Sequence, residues 1–553
     1  MRSIIFISVL LLSGCVDKGD SRKGVTEAQK PWFQEQAAER GLIFEYESGE
    51  SEQYLFPEIM GGGGAIADLD NDGDLDIYLV QGGNLTTDNS PGNQLFLNDG
   101  GLFERVPDAG GAADTGYGMG VTTGDYDNDG DVDLYVTNFG ANVLLRNNGA
   151  GEFEDVSEMA GVADASWGTA ALFHDLDLDG DLDLFVVNYV DWQPDIEREC
   201  FNQKTSLADY CSPNHYGAPA ADRLYRNNGD GTFTDVSDQA GLGAAFGNGL
   251  GVVTADVNAD GLFDIFVAND AMMNQLWINR GGLRFEDEAQ LWGCAVDEHG
   301  IAKAGMGVVA SDQDNDGDPD ILVVNLGGES DSFYRNTGSY FEDATVSVGL
   351  ANISKRHTRF GVALMDFDND SELDLFEANG AISLSNQEHI DVGYAEPNSL
   401  WKGRTRFELV DPPGGTEQPL INTSRGLAFG DINNDGGVDL LVINRDGPVS
   451  LLINQVSNRG QWVGFAAVNE VSSNVHGAMV SGVIGSIKVY RSVHTAGSYL
   501  SANDPRVHFG LGDETRISDV IVQWPGGDRE SFGDFEAGQW VNLQKGSGTT
   551  KGF

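Results

Sequence analysis

Seven short stretches of this 553-residue chain gather carboxylates at a spacing that calls for a cation. The first is Asp68-Leu69-Asp70-Asn71-Asp72-Gly73-Asp74-Leu75-Asp76, with an acid at every second position and a glycine at the sixth. Like charges about 4 Å apart repel by roughly 4 kcal/mol even at an effective dielectric near 20. Calcium takes about six to eight oxygen ligands, and loops with carboxylates at positions 1, 3 and 5 and a glycine at 6 supply them. The pattern returns at Asp125, Asp127, Asp129, Asp131 and Asp133, and again at Asp175, Asp177, Asp179, Asp181 and Asp183. It returns more loosely at Asp256, Asn258, Asp260 and Asp264, then at Asp312, Asp314, Asp316, Asp318 and Asp320. The last two copies are Asp366, Asp368, Asp370, Glu372 and Asp374, with Ser371 in place of glycine, and Asp431, Asn433, Asp435 and Asp439. A solvated acidic turn accounts for one such stretch but not for seven.

The expected ligands are the side chains at positions 1, 3, 5 and 9, with position 7 giving its backbone carbonyl, for up to seven Ca2+ ions. Loops 1, 2, 3 and 5 then offer four carboxylates each; loops 4 and 7 offer three plus Asn258 or Asn433. Loop 6 keeps four but has Ser371 where a left-handed turn is wanted, at a cost on the order of 1 kcal/mol. Loops 4, 6 and 7 are therefore expected to bind weakest. An EF-hand would carry a bidentate Glu at position 12. Here that position is Leu79, Val136, Val186, Val267, Val323, Glu377 and Val442, so the EF-hand reading fails.

The elements that must position these loops are strands. An apolar run such as Ile77-Tyr-Leu-Val80 or Ile321-Leu-Val-Val324 follows position 9 at once, and a Gly-rich apolar stretch such as Gly118-Met-Gly-Val-Thr-Thr-Gly124 precedes the loop. Such short β-branched and aromatic runs read as buried strands, so each loop is the tip of a hairpin. The first aspartates are 57, 50, 81, 56, 54 and 65 residues apart. A second theme fills each later half, as in Asn93-Gln-Leu-Phe-Leu-Asn98, Asn142-Val-Leu-Leu-Arg-Asn147, Asp222-Arg-Leu-Tyr-Arg-Asn227 and Asn274-Gln-Leu-Trp-Ile-Asn279. Four short strands per repeat predict an all-β chain whose residues 32–454 form a seven-bladed β-propeller, a ring without exposed sheet edges. Trp32 to Arg40 reads as a short helix, and Leu42-Ile-Phe-Glu-Tyr46 as a strand placed to close the ring. The long third interval holds an insertion, residues 189–221, with Trp192, Tyr210, Tyr216, Cys200 and Cys211. In an exported protein Cys200 and Cys211 are expected to pair, two free thiols being the alternative; Cys294 reads as a buried small hydrophobe. Residues 455–546 change to alternating strand patterns, a second, smaller β-rich domain, and 547–553 read as a tail.

The repeats resemble FG-GAP (VCBS) repeats, the unit of the integrin α-subunit propeller. That resemblance implies calcium held on one face of the ring by the Asp-rich loops. Gly497-Ser-Tyr-Leu-Ser501, His508-Phe-Gly-Leu-Gly512 and Trp524-Pro-Gly-Gly527 resemble the ASPIC/UnbV domain, which follows such repeats in the cartilage acidic protein family and its bacterial relatives. Phe44-Glu-Tyr-Glu-Ser-Gly49, Pro57-Glu-Ile-Met-Gly-Gly-Gly63 and Tyr210-Cys-Ser-Pro213 fit the same relatives, so the resemblance covers nearly all of the chain after residue 31. It departs at Ser371 and at Val475-His476-Gly477-Ala478.

Residues 1–15 read as an export signal: Arg2, a nine-residue apolar core from Ile4 to Leu12, then Ser13 and Gly14 before Cys15. The core is too short to span a bilayer. Leu12-Ser13-Gly14-Cys15 resembles a bacterial lipobox, which implies lipidation at Cys15, a flexible tether over 16–31 and, with Val16, an outer-membrane location. The net charge of −55 argues against nucleic acid or an anionic membrane surface as a partner. The sequence has no Gly-x-Ser-x-Gly elbow, P-loop, His-Glu-x-x-His or Cys-x-x-Cys-His motif. His174, His476 and His508 are expected to be packed rather than catalytic, and Trp192, Tyr210 and Tyr216 to pack the insertion. The expected function is an exported, lipid-anchored, monomeric calcium-binding propeller that acts as a binding or adhesion module for a protein or glycan ligand. The alternative is a carbohydrate lyase or dehydratase with its site in the insertion or the central channel.

Overall fold

Each acidic loop joins two strands, and the second strand begins at the position-9 aspartate itself. Thus Gly64–Ala67 leads through loop 1 to Asp76–Leu79, and Gly305–Ser311 leads through loop 5 to Asp320–Asn325. The computed structural model describes residues 30–87, 90–202, 206–243, 245–383, 393–403 and 405–550. Cys15, the export signal and most of the tether lie outside them. Among the described residues there are seven four-stranded antiparallel sheets. The first strands of the sheets lie side by side in chain order, and that of sheet 7, Ser424–Gly430, packs against Gly64–Ala67 of sheet 1. The seven sheets are therefore the blades of a closed β-propeller.

Two local expectations change. Trp32 to Arg40 is not a helix: Phe33–Glu35 is a strand, paired antiparallel with Ser450–Asn454 as the outer strand of blade 7. It closes the ring in place of Leu42–Tyr46, which makes only isolated bridges, Glu45 to Pro448 and Tyr46 to Arg445. Phe33 wins the edge position because its ring fills a pocket between Phe367 and Phe376, edge-on at 5.3 and 6.0 Å. Residues 547–553 are not wholly a tail, since Thr549–Thr550 pairs with Glu530 and Ser531.

The C-terminal region forms a three-stranded and a five-stranded sheet, with Val463, Phe465, Val480, Phe509, Val522 and Trp524 buried between them. It sends one segment into the axis of the ring. Ser498 exchanges backbone hydrogen bonds with Val308 of blade 5, Leu500 O accepts from Val121 of blade 2, and Ala502 is bonded to Gly64 and Ile66 of blade 1. Ser498 Oγ accepts from Val362 N–H of blade 6 at 2.9 Å, and Asn503 Oδ1 from Phe429 N–H of blade 7 at 3.2 Å. Ala496 packs with Leu172 and Val252 of blades 3 and 4. A segment touching all seven innermost strands lies on the axis. Gly63 is glycine for this reason: a Cβ there would stand 1.6 Å from Leu500 O. From the opposite end, Phe56, Ile59 and Met60 and the insertion residues Tyr189, Trp192, Tyr210 and Tyr216 close the ring in one buried cluster.

Phe33→Ala should cost about 3 to 5 kcal/mol, the usual loss for a buried phenylalanine. Denaturant unfolding checks this, and a change below about 1 kcal/mol would contradict closure by residues 33–35.

Candidate metal centres

All seven acidic loops repeat one hydrogen-bonded frame. The position-1 carboxylate accepts the N–H of position 6 on Oδ2, as Asp125 does from Gly130 at 3.1 Å and Asp431 from Gly436 at 2.8 Å. In loops 2 to 7 its Oδ1 accepts the N–H of position 5. The position-5 carboxylate accepts the N–H of position 7 throughout, for example Asp72 from Asp74 at 2.9 Å. Position 4 is left-handed in every loop, with φ between 54° and 63° at Asn71, Asn128, Leu178, Ala259, Asn315, Asn369 and Asn434. Asparagine tolerates that region; Leu178 and Ala259 bear the strain without its help. Position 6 is left-handed too, and Ser371 adopts φ 78° like the glycines it replaces.

This frame gathers carboxylates. Asp68, Asp70 and Asp76 place oxygens within 4.8 Å of one another, as do Asp125, Asp127 and Asp133, and Asp366, Asp368 and Asp374. Asp175, Asp177 and Asp179 do the same, as do Asp312, Asp314 and Asp316. Loops 4 and 7, with Asn258 and Asn433 at position 3, keep the same hydrogen-bonded frame at Asp256, Asp260 and Asp264, and at Asp431, Asp435 and Asp439. Burial pushes Asp68, Asp127, Asp175, Asp312 and Asp431 up to about 6, with neighbouring carboxylates adding to the effect. Asp68 Oδ1, Asp127 Oδ1, Asp177 Oδ1 and Asp368 Oδ1 are buried without a hydrogen-bond partner among the described residues. Acceptors crowded together without donors fit a hard divalent cation, which supplies what protein donors do not.

Position 9 has a second role that loop spacing alone does not reveal. Asp76 accepts Leu69 N–H on Oδ2 and Asn98 N–H on Oδ1, each at 2.8 Å. Asp133, Asp183, Asp264, Asp320, Asp374 and Asp439 repeat this with Asn147, Asn227, Asn279, Asn336, Gly403 and Asn454. These asparagines reach on to the preceding blade: Asn98 Nδ2 donates to Ile432 O, Asn147 to Leu69 O, Asn227 to Tyr126 O, and Asn454 to Phe367 O. The signal was the Asn ending each second theme, which reads locally as a hairpin residue. The side chains at positions 4 and 7 also join loops: Asn71 donates to Asp131 at 2.7 Å and Asn128 to Asp181 at 2.8 Å.

The C-terminal domain lies on this acidic face. Ser473 Oγ donates to Asp125 Oδ2, Trp540 Nε1 to Asp431 Oδ2 at 3.1 Å, and Arg459 to Asp435 at 2.9 Å. A Cβ on Gly436 would run into the Trp462 ring at 1.9 Å, so loop 7 needs glycine for space as well as for φ. A cleft of about 790 Å³ remains between loops 1, 2 and 7 and the domain, walled by Asp68, Asp129, Ser473, Arg506 and Trp540. On the opposite face a cleft of about 380 Å³ is lined by Phe139, Trp167, Trp192, Arg223 and Phe246.

The remaining residues singled out from sequence are packed. His174 lies against Phe263 with ring centres 4.2 Å apart, and burial holds it well below the usual imidazole range. His476 Nδ1 meets Phe173 O at 3.0 Å; His508 Nε2 meets Gly436 O at 3.2 Å, and burial pushes His508 down to about 4. Trp192 Nε1 and Tyr216 Oη both donate to Glu197, and Tyr210 Oη donates to Glu58 at 3.4 Å. Cys200 and Cys211 are joined in a disulfide, and Cys294 is a buried free thiol. The central channel, where one carbohydrate-active site would sit, is filled by residues 495–504.

The FG-GAP-like repeat profile matches residues 68–136, 125–186, 207–267, 256–323 and 312–376, and the ASPIC and UnbV profile matches 470–550. Cartilage acidic protein 1 of Homo sapiens is 27% identical over 303 residues, which are 53% of this chain and 43% of that protein. The Xenopus tropicalis protein of the same name is 28% identical over 189 residues, 33% of this chain and 27% of its own length. The chain thus spans less than half the length of the curated relatives it matches. An Agrocybe aegerita lectin, described as specifically recognising non-reducing terminal N-acetylglucosamine, superposes at a TM-score of 0.39 with 17% identity, over 70% of this chain and 86% of its own.

Cation loading near neutral pH should release protons. Burial holds Asp76 and Asp183 at about 8, Asp133 at about 9, and Asp264 and Asp320 at about 7 in the metal-free chain. These folded values lie above the unfolded value of about 3.9. The stability these groups contribute to the metal-free chain is therefore fully present below about pH 4 and lost as pH rises through about 7 to 9. A cation favours the ionised form and reverses that slope. Calorimetric titration with calcium in two buffers of different ionisation enthalpy should give different apparent enthalpies; equal values would refute the assignment.

Proposed function

This chain belongs to the FG-GAP-like repeat family and carries an ASPIC and UnbV domain, and from that premise we propose that it is a calcium-stabilised propeller acting as a binding module for a protein or glycan partner. The observation that carries the calcium reading is the set of buried, unpartnered carboxylate oxygens at positions 1 and 3, repeated around one face of the ring. The donor set is carboxylate oxygen and, in loops 4 and 7, one amide oxygen. Such a mixed, irregular oxygen set suits calcium better than magnesium, which demands near-octahedral geometry and keeps its waters. A divalent ion would offset two of the three to five negative charges of each loop, while the chain's own amides at positions 5, 6 and 7 hold the carboxylates in place. Because the frame exists only in the folded ring, binding adds to stability. One site held at a hundredfold over its dissociation constant adds about 2.7 kcal/mol.

Binding rather than catalysis is supported by the filled axis and by clefts that open at the surface. The cleft that presents the exposed Phe246 and the half-buried Phe139 and Arg223, over a floor of buried Trp167 and Trp192, suits the apolar face and hydroxyls of a sugar or an aromatic-bearing peptide. Export and anchoring in the outer membrane through a lipid on Cys15, on its periplasmic or its cell-surface side, complete the reading.

Excess EGTA should lower the melting temperature of the soluble form, residues 21 onward, by many degrees. An unchanged curve after verified metal removal would sink the calcium reading, and a glycan and matrix-protein array probed with and without calcium would sink the binding reading if nothing is retained. Metabolic labelling with a palmitate analogue should mark the wild type and not Cys15→Ser; equal labelling of both would disprove the anchor.

A further inference from the structure

We propose that the C-terminal domain is a working part of three cation sites: Ser473 positions Asp125 in loop 2, Trp540 positions Asp431 in loop 7, and the Gly510 carbonyl pins the turn of loop 6, so that cation affinity at these loops is linked to how the domain is docked. This rests on the calcium reading of the loops given above.

The geometry separates these loops from the rest. In loops 3, 4 and 5 the position-1 carboxylates of Asp175, Asp256 and Asp312 are held by backbone amides of their own loop. Asp125 and Asp431 each accept a further hydrogen bond from the other domain, from Ser473 Oγ and from Trp540 Nε1. Loop 6 is gripped through its backbone. Ser371 Oγ donates to Gly510 O at 2.9 Å, Gly460 N–H donates to Asp368 O at 2.9 Å, and Gly512 N–H donates to Asn369 O at 2.8 Å. Ser371 is the residue that replaces the turn glycine, and its hydroxyl makes a contact that no glycine could. Loop 7 is braced further by Arg459 on Asp435 and by Arg506, which donates to Asn434 Oδ1 at 2.8 Å and to Asp431 O at 3.2 Å.

A donor on the outer side of a ligating carboxylate fixes its rotamer and leaves less motion to be lost when the ion binds. Removing such outer partners from metal sites elsewhere lowers affinity by about 10- to 100-fold. Loops 6 and 7, which the sequence ranks among the weakest for turn strain at Ser371 and for ligand count respectively, are two of the three that the domain braces. Loop 4 has three carboxylates and, among the described residues, no such brace. Coupling of this kind is reciprocal: emptying loops 2, 6 and 7 should loosen the domain surfaces at Ser473, Gly510 and Trp540. The axial segment 495–504 still tethers the domain, so the response is local rather than a release.

Hydrogen-exchange mass spectrometry of the folded chain across a calcium titration tests this loop by loop. Ser473→Ala should raise the calcium midpoint for loop 2 by about tenfold, with loops 3 and 5 unmoved, and Ser473→Thr should restore it. Trp540→Phe, which keeps the ring and removes the N–H, should do the same for loop 7 alone. Unchanged midpoints in loops 2 and 7 would overturn the proposal, and so would an equal shift in all loops, which is what general destabilisation would give. Indifference of every wild-type loop to calcium would instead overturn the calcium reading, and this proposal with it.

Discussion

One buried aspartate per blade carries the architecture. Asp76, Asp133, Asp183, Asp264, Asp320, Asp374 and Asp439 open the second strands with at most 2% of their surface exposed. Each spends one oxygen on the loop that precedes it and the other on the end of the third strand. A carboxylate taken out of water is expensive unless donors surround it, and two backbone amides per carboxylate answer only part of that need. The rest is left as a raised proton affinity. The same residue therefore closes the loop, registers the sheet and creates the demand for an ion. The asparagine it holds then reaches the neighbouring blade, so the ring is stitched along the face that gathers the charge.

Blade 6 shows what happens where the repeat is broken. Gly403 stands where six other blades carry that asparagine, Ser371 stands at the turn glycine, and Glu377 stands where the other blades are apolar. Each departure has a local answer. Trp401 Nε1 donates to Glu377 at 2.9 Å beside the buried Arg359–Asp331 ion pair, with 2.8 Å between its charged atoms. Burial and the Asp331 charge push Glu377 well above the usual carboxylate range. Lys402 bridges Asp368 and Asp370. The ring is thus held at this joint by charge pairing from blade 5 and by the C-terminal domain instead of by an asparagine.

The C-terminal domain is less an appendage than the ring's filling. A seven-bladed ring leaves an axis too wide for its own innermost side chains, several of which are glycine. Residues 495–504 supply backbone and side chains to that axis, and three of the domain's five arginines, Arg459, Arg491 and Arg506, lie near acidic loops. These arginines bring positive charge to the acidic face of the ring.

The sequence by itself determined the repeats, the hairpin loops, the carboxylates at positions 1 and 3 that converge, the strands on either side, and the left-handed turn forced on Ser371. All of these follow from chemistry within about a dozen residues: charge repulsion, turn sterics and apolar runs. Tertiary structure alone decided which segment closes the ring, what fills its axis and what the recurring asparagines do. Phe33–Glu35 sits in a polar, helix-compatible stretch, and its strand state exists only because Ser450–Asn454 offers a free edge and Phe367 and Phe376 offer a pocket. Asn147 is a hairpin residue until Leu69 of the preceding blade presents its carbonyl. Such choices are made by partners tens to hundreds of residues away, and no local pattern carries them.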